Sequence, residues 1–127
     1  DPAAVAIHKI SDAMLEHAEG IEVVGRRFLE WLDTVPTSKR CWIGHNIRDY
    51  DVPILRRVLN YDKRLRGHLF DSYEIAKQVY PHQRSKKLTS LYKHLRPNAR
   101  TNGAHRALCD VKMNLAVAID ELKRLNA

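Results

Sequence analysis

Cysteine is scarce: Cys41 and Cys109 are the only two in 127 residues. Two thiols cannot build a disulfide scaffold or a four-thiolate zinc site, so a reducing, intracellular setting is expected. No apolar run approaches the ~18 residues of a membrane span, and no membrane partner is expected. Internal repeats, low-complexity tracts and linkers are missing too. A chain of 127 residues can bury one core but not two, so a single domain is expected. Acidic residues are scarce beyond the first third. Residues 1–36 carry three basic side chains (Lys9, Arg26, Arg27) against seven acidic ones, a balance of −4 within a net +7, so the remainder holds +11. That basic excess suits a polyanionic partner, although a solvated charged surface has the same composition.

What is present is a globular mixture, 44% hydrophobic and 29% charged. The pattern predicts a helix from Ser11, with Ser11 or Asp12 as its cap, stopping near Gly20. Ile21, Val24, Phe28, Trp31, Leu32 and Val35 recur at helical spacing, and Pro36 ends that helix. "CWIG", Cys41 to Gly44, reads as a short buried strand. Pro53 suits the first turn of a following helix that carries Ile54, Leu55, Val58 and Leu59. "HLFDS" reads as a second strand, "YEIAKQVY" and "KLTSLYKHL" as helices, and "PNARTNG" as a loop. A long closing helix carries Leu108, Val111, Leu115, Ile119 and Leu122 on one face. Strands alternating with helices predict a parallel α/β arrangement, yet two short strands alone leave edges that want a partner.

Two clusters carry chemistry. "GHNIRDYD" follows the first strand, where ligands of open α/β sheets bind. Its His45, Asn46 and Asp51 also have ordinary explanations as hydrogen-bonder, turn residue and helix cap. "GAHRALCDV", Gly103 to Val111, offers a sharp turn at Gly103, then His105 beside the last helix and Asp110 flanking its apolar stripe. A carboxylate there needs a partner, either an arginine or a metal ion, because desolvating it unpaired is costly.

Taken together, H-N-x-x-x-Y-D-x-P-x-L from His45, the strand ending in Asp71-Ser72, L-x-S-L-Y from Leu88 and H-x-A-x-x-D-V from His105 resemble the DEDDh 3′–5′ exonucleases. The closest likeness is to their three-prime repair exonuclease branch. "IHKISDAML", Ile7 to Leu15, is similar to that family's H-G-[IL]-[ST] segment, with Lys9 where glycine is usual. The resemblance implies an α/β ribonuclease H-like exonuclease fold, a mixed sheet flanked by helices, with residues 1–127 as the C-terminal portion of one domain. It implies two divalent ions, Mg²⁺ or Mn²⁺, held partly by Asp51 and Asp110. His105 would activate the attacking water, since an imidazole can take up a proton near neutral pH. His8 and Ile10 would meet the terminal nucleotide, and Asn46 would support the metal-bearing turn or the substrate; Arg106, Lys86 and Lys87 are candidate phosphate contacts on charge alone. Tyr50 would pack under Asp51.

The family's first motif, Asp-x-Glu on its first strand, has no counterpart here. Asp49 to Asp51 belong to the second motif, Asp71 follows a strand, and Asp120-Glu121 lies near the end of the last helix. The three strands that would carry and follow the motif are also absent, and residues 1–2 resemble the end of the third. The expectation is therefore an exonuclease acting on a DNA or RNA 3′ end, inactive as this chain alone. Its acidic pair would come from a second chain, a missing N-terminal segment or a swapped homodimer. The alternatives are a catalytically inactive nucleic-acid-binding pseudo-nuclease and a protein-interaction domain.

Overall fold

The computed structural model describes residues 1–127. Helix α1 (Pro2–His8) was not foreseen by the sequence pattern: Asp1 caps it by accepting the Ala3 N–H, and Pro2 occupies its first position. It ends at Lys9, whose φ of 58° is left-handed, a conformation that suits glycine far better than lysine. The helix expected from Ser11 to Gly20 is only one turn, α2 (Asp12–Leu15), with Ser11 as its cap. Neither α1 nor α2 contributes a buried residue, so nothing in the chain supports a longer helix there.

Helix α3 (Ile21–Leu32) forms where the spacing placed it. Its buried residues are Gly25, Leu29 and Leu32, whereas Ile21, Val24 and Trp31 of the expected apolar series are exposed. A Cβ at Gly25 would come within 2.7 Å of Leu59 Cδ2, so a glycine there permits the close approach of α3 to the end of the next helix. Strand β1 (Cys41–Gly44), helix α4 (Asp51–Val58) and strand β2 (His68–Asp71) follow, with Pro53 in the first turn of α4. β1 and β2 pair in parallel, Cys41 opposite His68 and Gly44 opposite Asp71. These two strands are the whole sheet. β1 is not the buried strand its composition predicted. Cys41 is exposed and Ile43 is 40% exposed, because no further strand covers its free side.

The core lies between the last three helices, α5 (Ser72–Val79), α6 (Leu88–Leu95) and α7 (Ala107–Leu125). Ala76, Tyr80, Leu91 and Val117 form its centre, with Val79, Leu88, Tyr92 and Leu95 packed around them. On α7 the buried residues are Met113, Asn114, Val117, Ala118 and Glu121. Leu108, Val111, Leu115, Ile119 and Leu122 do share a face, but that face is open to solvent. Only 15 of 127 residues are buried, few for a chain of this length. The architecture is an α/β unit, a two-stranded parallel sheet flanked by helices, with the far side of β1 unpaired. No helix is long and apolar enough to cross a membrane.

Candidate active site

β1 ends at Gly44 because the chain must turn back on itself there. A Cβ at Gly44 would lie 2.5 Å from the Cβ of Ile47, whose buried side chain anchors the turn. Asn46 takes the left-handed position, φ 64°, for which asparagine is suited. The turn is then fixed by Asp71, at the end of β2. One oxygen of its buried carboxylate accepts the Asn46 N–H at 2.9 Å and the Tyr73 N–H at 3.0 Å. The other accepts the Arg48 N–H at 3.1 Å. A single side chain thus caps α5 and holds the loop above the carboxyl ends of both strands.

Asp51 opens α4 at the far side of this loop, and no side chain caps that helix, so the simple capping role is not the one it plays. Although Asp51 is largely open to solvent, its carboxyl is pushed up from the ordinary value, first by partial desolvation and also by the Asp71 carboxylate. Tyr50 does not pack beneath it: it is 66% exposed, whereas Ile47 of the same turn is buried. Asp49 is exposed as well.

The second cluster forms at the start of α7. The left-handed residue of this turn is His105, φ 68°, rather than Gly103. Its backbone N–H donates to Asp110 Oδ1 at 3.0 Å, so the carboxylate reaches back over the first turn of its own helix. Arg106 occupies the cap position, and its guanidinium donates to the Lys9 carbonyl at 3.2 Å across 97 residues of sequence. That contact brings in the segment with His8 and Ile10, where His8 Nδ1 accepts the Ile10 N–H at 2.9 Å. His8, Ile10, His105, Arg106 and Asp110 are therefore neighbours through Lys9, while Asn46 and Asp51 share the other turn. Of the expected phosphate contacts, Lys87 is exposed and the Lys86 ammonium is held by the Gln83 carbonyl.

Nowhere do three or more His, Cys, Asp or Glu side chains gather as they would around a metal ion. Asp51 and Asp110 alone do not fit a site for two divalent cations, which needs more hard oxygen donors than they provide. Two clefts, of about 190 and 250 Å³, lie against α4, the first lined by Trp42, Val52, Leu55 and Leu69 and the second by Gly25 and Leu59, neither lined by a residue of the two clusters. Sequence reasoning missed Asp71 as the residue that builds the loop. A carboxylate at the end of a strand, followed by Ser and a helical pattern, is a legible N-cap signal. It also missed Asn114, for which no local signal exists.

Asp51 lies on the turn above the strand ends, and Asp110 accepts the His105 N–H at the head of α7. The family model for exonucleases, RNase_T, matches residues 1–118. The chain belongs to the exonuclease family, and a nuclease, hence a hydrolase, is what the family defines. No curated protein matches the chain.

Proposed function

We propose that this protein is a metal-dependent 3′–5′ exonuclease of the DEDDh type, of the three-prime repair branch, acting on DNA or RNA. Its missing acidic pair is provided by a segment outside these residues. The observation that carries the reading is the placement of His105 and Asp110, joined by a backbone hydrogen bond at the head of α7, in a chain of the exonuclease family. In this reading His105 takes the proton of the attacking water. Asp51 and Asp110 join the outside pair in holding Mg²⁺ or Mn²⁺. Arg106 and the His8–Ile10 segment, tied together through Lys9, line the approach of the 3′-terminal nucleotide. The unpaired side of β1 and the open apolar face of α7 support a further strand lying against both.

The test is native mass spectrometry of the purified protein, followed by release of 3′ nucleotides from end-labelled oligonucleotides with Mg²⁺ or Mn²⁺. An added chain or segment carrying an Asp-x-Glu strand, with metal-dependent cleavage, is the expected result. Asp110→Asn should abolish that cleavage with little loss of folding, and His105→Ala should slow chemistry more than binding. Normal cleavage by both variants would overturn the site.

The want of a three-donor cluster favours a second reading, a nucleic-acid-binding pseudo-nuclease. It is distinguished by oligonucleotide binding that weakens steeply with salt while no divalent ion yields products.

A further inference from the structure

Between the two clusters lies a line of buried polar side chains. His45 Nε2 is 2.7 Å from the Lys86 carbonyl, which can only accept, so this nitrogen carries the ring proton. Nδ1 of the neutral ring is then an acceptor, and it lies 2.9 Å from Ser72 Oγ. The Ser72 hydroxyl also has the Gly44 carbonyl within reach at 3.3 Å, but with its one proton on the nearer His45 Nδ1 its oxygen accepts from Asn114 Nδ2 at 2.6 Å. Each donor in the series meets one acceptor, from α7 through the head of α5 to the loop after β1. Ser72 is fully buried and Asn114 nearly so, whereas His45 is partly covered, with the edge of Tyr73 5.5 Å from its ring centre.

The endpoints of this series matter. Asn114 stands one helical turn beyond Asp110 on the same face of α7. His45 is the first residue of the loop that ends at Asp51, and Ser72 directly follows Asp71, which holds that loop by its backbone. We propose that His45, Ser72 and Asn114 are positioning residues forming a buried relay that sets the Asp51 loop against the helix carrying Asp110. Its consequence for catalysis rests on the nuclease reading above; its mechanical link does not. Neither Ser72 nor Asn114 would touch substrate. They act by keeping two carboxylates, drawn from separate elements, in one relative placement. Polar groups behind a reacting set, when removed, commonly cost ten- to a hundredfold in function.

The test uses the complete protein as purified and two variants, Asn114→Ala and Ser72→Ala, with amide hydrogen exchange and cleavage read separately. Asn114→Ala touches no atom of the loop. Even so, it should speed exchange at residues 46–51 about tenfold while leaving Ala76 and Leu91 protected as in the wild type. It should also lower kcat roughly ten- to a hundredfold with KM within about threefold. Asn114→Gln, a longer amide, keeps a donor on α7 and should recover part of kcat. Unchanged exchange at 46–51 in both alanine variants would overturn the relay. Faster exchange with an unchanged kcat would overturn its role in positioning the site. A wild-type protein that releases no nucleotide overturns the nuclease reading instead, and exchange alone then decides the relay.

Discussion

Val117 and Leu115 stand two residues apart on α7, yet one has 0% and the other 50% of its surface exposed. The same contrast divides the whole molecule. Between α5, α6 and α7 the apolar side chains close on one another around Leu91, which is also fully buried. Along β1, the outer side of α3 and the far face of α7, equally apolar residues face solvent. One helix therefore serves a finished core and an unfinished one, and the apolar stripe that stands out in its sequence belongs to the unfinished side. Amphipathic spacing tells that a face wants burial, not which neighbour supplies it.

The strongest way to break the closed half is to remove the carboxylate at its border. Asp71→Ala strands three backbone N–H groups and should cost about 3 kcal/mol or more in urea unfolding. A change below 1 kcal/mol would mean that the loop is held by other contacts. The next largest effect concerns a flaw inside the closed half: Glu121 is fully buried and neither of its oxygens has a partner. Burial, with the nearby Asp120 and Asp71 charges, pushes its carboxyl up from 4.5 to about 8. The folded chain thus keeps this proton up to about pH 8, while the unfolded chain loses it above about 4.5. Stability falls across that window as pH rises, by about 3 kcal/mol near pH 7. Glu121→Gln should flatten the curve between pH 5 and 8 and raise stability at its upper end. An unchanged slope would sink the assignment to Glu121.

A paired substitution sharpens the comparison directly. Val117→Ala should cost about 2 kcal/mol, because it empties part of the closed core. Leu115→Ala should cost less than about 0.5 kcal/mol in residues 1–127 alone. If the complete protein instead loses stability on Leu115→Ala as it does on Val117→Ala, then that face is covered there. The smallest effect is at Lys9. Glycine relieves the left-handed conformation, so Lys9→Gly should raise stability by about 0.5–1 kcal/mol. No gain would indicate that the Arg106 contact to the Lys9 carbonyl, rather than the dihedral angle, sets the energy of this segment.

Both strands and every α-helix from Ile21 onward were legible from spacing, capping residues and Pro53, since these are local properties; the 3-10 turn at Thr37–Lys39 was not. Residues 1–20 were read less well. With nothing buried in either α1 or α2, no apolar pattern records where those helices begin or end. His45, Asn46, Asp51, His105 and Asp110 stood out as candidates because a turn after a strand and a helix start each leave a local mark, while their roles came from the family resemblance alone. The hydrogen bond from Asn114 to Ser72 spans 42 residues and has no such mark. Nor did spacing show that Tyr50 is exposed while Ile47, three residues earlier, is buried.

The free side of β1 carries a last consequence, one of mass action. A four-residue edge with unsatisfied backbone groups is a template on which a further strand would pair. Whenever the bound strand prefers the folded chain, it adds stability that grows with its concentration. For a chain so completed, dilution would act as a mild denaturant does, and the melting temperature would be a property of the solution as much as of the sequence.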